Sequence, residues 1–400
     1  VLQINGVNIA TEALTVIATG VGVATLENLV STNTFGGPVT LTTAGTVLVT
    51  AGQLTLNGLV SGLAAGTLTK TGAGTLVLGN NANDYAGVTN ITAGIISATV
   101  ANALGASGAG QGTTVTADAT LEYSNNITVA EPLGVDGLGV GSNGALQNLS
   151  GANTQSGTVV LSGATRIGGA AGSLNISGVL SGNFALTKLG AATIRISGNN
   201  NARDGSVVVN EGTLEVAGGN AIGNTEEVTV TSGTLSLIND ETIGSLDGAA
   251  AGRIALGANT LSISQTAALT YAGVISGTGN VTLIGSANLT LTGNNAYGTT
   301  TLNGTAGNTL LTLNQATGAL SDTGPVVMTS GNLALLQNET IGNLSGASDI
   351  NLNTFVLTVN EAGSTTYNGI ISSTGAGNGL TKIGLGTLTL SGANTFSGLT

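Results

Sequence analysis

The chain contains no cysteine, no histidine and no tryptophan, and it is poor in charge. Without cysteine there is no disulfide framework and no thiolate metal site. Without histidine, a Ser-His triad and a His-ligated metal are both excluded. Only 7 of 400 residues are Lys or Arg, and they are scattered, so no basic patch is available to neutralise phosphates. A formal net charge of −12 opposes adsorption to anionic membranes. Charged residues make up 6%, against about 25% in an average soluble protein, and aromatics only 2%. No run of about 18 apolar residues occurs, so no helix spanning a membrane is expected. No basic segment followed by an apolar run opens the chain as a signal peptide would. Both ends fall inside repeats, which reads as a segment of a larger repeat protein.

Glycine contributes 66 residues and apolar residues 41%. A glycine-rich chain invites a reading of disorder, but disordered segments are poor in β-branched apolar residues. Here Val, Ile, Leu and Thr alternate in short runs throughout. The runs repeat. Leu68-Thr-Lys-Thr-Gly-Ala-Gly-Thr-Leu-Val-Leu78 returns as Leu186-Thr-Lys-Leu-Gly-Ala-Ala-Thr-Ile-Arg-Ile196 and as Leu380-Thr-Lys-Ile-Gly-Leu-Gly-Thr-Leu-Thr-Leu390. A degenerate copy is Val281-Thr-Leu-Ile-Gly-Ser-Ala-Asn-Leu-Thr-Leu291. Glu241-Thr-Ile-Gly-Ser-Leu246 likewise returns as Glu339-Thr-Ile-Gly-Asn-Leu344. A super-repeat of roughly one hundred residues therefore contains units of about 20, the length of a solenoid coil.

Within a unit, period-two runs such as Thr193-Ile-Arg-Ile196 and Thr213-Leu-Glu-Val216 put a charge between two apolar residues, the pattern of a strand with one buried face. The runs end at Gly79-Asn-Asn81, Gly198-Asn-Asn200 and Gly293-Asn-Asn295, residues that tolerate positive φ and turn the chain. Proline occurs only at 38, 132 and 325, as expected when most residues donate ladder hydrogen bonds. Strands stacked about 4.8 Å apart would line their apolar side chains up inside the coils. The expected fold is all-β: a right-handed parallel β-helix (solenoid) of roughly 18–20 coils. It is expected to run continuously over 1–400, with super-repeats at approximately 68–185, 186–280, 281–379 and a truncated 380–400. Leu76, Leu78, Ile194, Ile196, Leu289, Leu291, Leu388 and Leu390 are expected to point inward, and Arg195 and Glu215 outward.

The segment Leu380–Thr400, with its Leu-Thr-Lys-Ile-Gly start, Gly-Thr-Leu-Thr-Leu strand and Gly-Ala-Asn-Thr-Phe-Ser-Gly turn, resembles the passenger-associated repeat of bacterial autotransporters. The copies at 68–105 and 186–223 resemble it too, and the copy at 281–320 replaces the lysine by Leu283. The resemblance implies a passenger-like β-helix at the outer surface of a Gram-negative-type cell. It is specific for repeat and fold and implies no activity.

Four sets of residues bear on function. Lys70, Lys188 and Lys382 share one repeat position and are expected as exposed turn lysines. Tyr85, Tyr297 and Phe396 follow the Asn corners, where Arg203 takes the place of the aromatic in a third copy. They are expected to pack on the outside of their own coils. Glu226-Glu227 and Asp240-Glu241 are sequence neighbours, so each pair is expected to face opposite sides of a strand rather than form a catalytic dyad, although acids on adjacent coils can still meet. Asp136-Gly-Leu-Gly139 is a single Gly-rich turn, not a tandem calcium repeat. The sequence therefore assigns no catalytic residue, no cofactor and no metal. It reads as a non-enzymatic, structural extracellular rod, either passenger-like or fibre- or sheath-forming. The alternative is an adhesin for a glycan or a cell-surface protein, and a polysaccharide-degrading enzyme ranks third. Self-association through end coils or neighbouring repeats is the expected partnership.

Overall fold

The computed structural model describes residues 1–16, 25–108, 110–200, 203–315, 318–375 and 377–398. Leu399 and Thr400 of the last repeat copy and Asn201 and Ala202 of the copy at 186–223 lie outside them, as does Ala109. The described residues form a β-solenoid of about 18 turns built from short parallel strands, with a single 3-10 turn at Val140–Ser142 and no α-helix. Two compact units are distinguished, Val1–Asn200 and Asn201–Thr400.

In the first unit an interior ladder runs Leu54, Leu76, Ile96, Leu121, Leu146, Ile167 and Lys188, each residue in register with the next at steps of 20 to 25 residues. The second unit carries the ladder Leu269, Leu289, Leu311, Leu333, Ile350 and Ile371. One coil cannot bury its apolar side chains, but its neighbours above and below cover them. Leu54, Leu76, Leu121 and Leu146 are all fully buried. At about 1.5–3 kcal/mol for each buried aliphatic side chain, these ladders are the main favourable term.

The alternation predicted from sequence is present in both units. Leu76, Leu78, Ile194, Ile196, Leu289 and Leu291 are buried, while Arg195 and Glu215 lie half-exposed between buried neighbours. Leu388 and Leu390 differ: both are half-exposed, in the strand Thr387–Leu390 that pairs on one side with Ser364–Tyr367. The expected turn at Asp136–Gly139 is also displaced. Asp136 and Gly137 belong to the strand Leu133–Gly137, and the turn begins at Leu138.

Glycine sets how closely coils approach at the corners. A Cβ at Gly178 would lie 2.0 Å from the Gly157 carbonyl oxygen one coil before it. Even alanine is therefore excluded unless the backbone moves.

Candidate functional site

The chemistry-bearing side chains are mostly turned inward. Lys70 is fully buried and Lys188 nearly so, contrary to the expectation of exposed turn lysines. Lys70 occupies an interior rung that Ile91, Val115 and Val135 fill on the next coils. Its Nζ donates to the carbonyls of Thr71 (3.0 Å), Gly72 (2.7 Å) and Ala93 (3.0 Å). The ammonium thereby satisfies carbonyls at the corner after its strand, where the tight turn leaves them without a ladder donor. Burial pulls the Lys70 pKa down to about 8, so the group remains mainly cationic at neutral pH. Lys188 repeats the arrangement on Leu189 O (2.9 Å) and Gly190 O (2.7 Å). Lys382 reaches Gly384 O at 3.0 Å but is exposed. In the copy with Leu283 the Gly285 carbonyl accepts the backbone N–H of Thr305 at 3.0 Å instead. There the corner is satisfied without a cation.

The corner aromatics are also inside. Tyr85 and Tyr297 are buried, not packed on the outer surface, because each hydroxyl finds a buried threonine: Thr89 at 2.7 Å and Thr300 at 2.9 Å. Desolvation raises both phenol pKa values well above normal. Phe396, which lacks a hydroxyl, is half-exposed. Where Arg203 replaces the tyrosine, the threonine position is Val207, and Glu226 supplies the partner at 2.8 Å in a fully buried ion pair. The copies thus exchange a neutral tyrosine–threonine pair for an arginine–glutamate pair at one corner.

Buried glutamates complete the interior set. Neighbouring acids do face opposite ways: Glu227 and Asp240 are exposed, whereas Glu226 and Glu241 are buried. Glu241 accepts the backbone N–H groups of Ala221 (3.3 Å) and Ile222 (3.1 Å) on the preceding coil. Glu339 does the same with Ala319 and Leu320, both at 2.9 Å. Glu131 has one oxygen 3.5 Å from Thr113 Oγ1 and the other without a hydrogen-bond partner. Burial raises all three carboxyls to about pH 7, more than their hydrogen bonds lower them. Glu226 and Glu241 are brought together on successive coils, but both are sealed from solvent, so a substrate cannot reach between them. Among the described residues no cluster of three or more His, Cys, Asp or Glu could hold a metal ion.

Further interior polar groups carried no repeat signal. Asn28 and Asn33 form a buried amide pair at 2.6 Å, and Asn148 and Asn153 form another at 2.7 Å. Asn28 and Asn148 also cap the next coil at Ala51 O and Ala171 O. The Asn-x4-Asn spacing following an inward leucine is the signal they share.

Outside, two shallow grooves lie on the first unit. One, of about 390 Å³, is lined by Ala73, Ala93, Gly94, Asp118 and the 138–142 turn. The other, of about 340 Å³, opens where Gly134 interrupts an outward row between Thr114 and Val160, beside Gly112 and Pro132. Its lining carries no ionisable group.

The passenger-associated-transport-repeat family model matches residues 68–98, 186–216 and 380–400. These three stretches are passenger-associated transport repeats. They hold Lys70, Lys188 and Lys382, so the family signature covers the corner that the buried ammonium groups stabilise. The chain is also 32% identical over 416 residues to the adhesin BmaC autotransporter of Brucella suis biovar 1 (strain 1330). That match covers 96% of the chain but 11% of the relative, so the chain corresponds to a small part of such a protein. No solved structure matches the chain. The repeats and this relative mark a passenger β-helix of a secreted, cell-surface protein of Gram-negative bacteria.

Proposed function

We propose that this segment is a non-enzymatic display scaffold whose outward rows form the contact surface of a surface adhesin. The observation that carries the reading is the direction of the polar chemistry. The ion pair, two of the lysines and the buried glutamates serve backbone groups and one another inside the coils. The outward rows offer mainly hydroxyls and amides, such as Thr242, Ser262, Thr282 and Thr301 in register on the second unit. A surface of that kind suits many weak contacts to a neutral glycan or a protein. None of these four residues is an acid, the group that hydrolysis of a polysaccharide requires. The relative's description as an adhesin supports the same reading.

The test is binding of the purified chain to a glycan array and to intact cells, alongside a polysaccharide-degradation assay. Saturable binding without degradation is the expected result, and release of reducing ends would overturn it. Contact between copies, which suits a fibre or sheath, is the second reading, supported by the low charge density of 6%. Sedimentation over a concentration series reports it independently of the array.

A further inference from the structure

The outward row of the first unit that runs Thr69, Asn90, Thr114, Gly134, Val160 and Ser181 has a gap at Gly134. Gly134 sits inside the strand Leu133–Gly137, which pairs with a strand on each side. Glycine in the interior of a strand weakens it, because a freer backbone must be ordered and no side chain packs on the neighbours. The fold does not demand glycine here. The Gly134 backbone is not left-handed, and a Cβ at this position would meet nothing nearer than the Ser162 and Thr114 hydroxyl oxygens at 3.9 Å. Gly137 is the opposite case: its φ is +87°, and a Cβ there would lie 2.2 Å from the Ala117 carbonyl oxygen. A strand glycine that neither turn nor packing requires marks a close approach of another molecule to the backbone.

Gly134 opens onto the groove of about 340 Å³, at the small end of the range for small-molecule sites, roughly 300–1,000 Å³. Gln111, Thr114 and Thr158 belong to its lining, and their side chains bond to no other described residue. Val88, Pro132 and Val160 add apolar surface, and Val160 is 44% exposed. This lining discriminates by what it would leave unpaired. A ligand that covers the groove takes water from three uncommitted polar groups, so it must bond to them. An aliphatic side chain of a partner protein supplies no such bonds. A charged group would be covered without a counterion, and an anion is opposed further by the net charge of −12. A pyranose ring offers what remains, neutral hydroxyls around its edge and C–H groups on its face.

We propose that the groove at Gly134 is a subsite for one neutral sugar ring of a glycan. Gln111, Thr114 and Thr158 bond its hydroxyls, and Val88 and Val160 meet its C–H groups. The proposal rests on the adhesin reading and gives it an address on the first unit.

The test is methyl NMR of the full chain, labelled at Val and Leu methyls. The probes are the methyl glycosides of glucose, galactose, mannose and N-acetylglucosamine, with glucuronic acid and glucosamine as charged comparators. Saturable shifts at Val88, Leu133 and Val160 are expected with at least one neutral probe, and none with the charged ones. Gly134→Val fills the gap with the residue that follows it in the row. It is expected to abolish these shifts while the melting temperature holds or rises, since valine suits a strand and has room there. Thr158→Ala is a second variant, expected to weaken the same shifts, whereas Thr301→Val on the second unit leaves them unchanged. Groove shifts that survive Gly134→Val, shifts confined to other methyls, an equal response to glucuronic acid, or no response to any neutral probe would each overturn the proposal. Shifts confined to other methyls would leave the adhesin reading standing, while a chain that binds neither the glycan array nor cells would sink that reading as well.

Discussion

Replacing Lys70 with Met keeps the length of the side chain and removes the ammonium. Three carbonyls then lose a charged donor: Thr71, Gly72 and Ala93. Hydrogen bonds to a charged group contribute about 1.5–3 kcal/mol each. The buried ammonium carries a desolvation cost, visible in a pKa drawn down to about 8, and the methionine escapes it. Setting one against the other leaves a net loss of about 3 kcal/mol. For a cooperative unit of ~200 residues the unfolding entropy is about 0.4 kcal/mol/K, so the melting temperature should fall by about 7 °C. Lys382→Met is the control. Lys382 makes the same kind of contact at 3.0 Å from an exposed position, and its loss should move the melt by about 1 °C or less. Leu283 shows that an aliphatic residue is tolerated at this position, but there the Thr305 amide takes over the Gly285 carbonyl. Differential scanning calorimetry of the three proteins decides the matter. Equal shifts for the two variants, or a Lys70→Met melt indistinguishable from the parent, would show that the inner lysine is a spectator.

Leu76→Asp buries an unpaired carboxylate and should cost several kcal/mol, whereas Arg195→Ala and Glu215→Ala should each stay within about 0.5 kcal/mol in chemical denaturation. Arg203→Met strands Glu226 and should cost about 3–5 kcal/mol. Adding Glu226→Gln should recover a large part of that, and a double-mutant cycle with no coupling would refute the ion pair. Gly178→Ala drives a Cβ into the Gly157 carbonyl and should destabilise as strongly as a core substitution, while Gly110→Ala meets nothing within 4 Å and pays only for its φ of +79°. Limited proteolysis of both glycine variants separates the two outcomes.

The sequence made the ladders legible because each coil repeats the same parity of apolar residues. Leu76 and Leu78 on one coil predict Ile194 and Ile196 more than a hundred residues on, and all four are buried. The polar interior follows the same parity, against what charge alone suggests. Lys70 is two residues after Leu68, and Glu241 two before Ile243, so each shares the inward face of its strand. The ordinary rule that lysine and glutamate stay at the surface overrode that count. It fails here because a solenoid corner leaves backbone groups unpaired inside, and a long side chain is the nearest donor or acceptor. The Arg203–Glu226 pair was beyond period counting, since it joins residues on different coils whose spacing varies.

The outward rows have a different consequence. Along the second unit, Thr270, Thr290, Thr312, Ala334, Asn351 and Ser372 succeed one another in strand register, one residue from each coil. Apart from Thr312, which is buried and donates to Asn288, they are half-exposed or exposed, so each of these can be exchanged without repacking a neighbour. Such a face can be rewritten one position at a time, with the fold acting as a fixed typeset frame for a changing text.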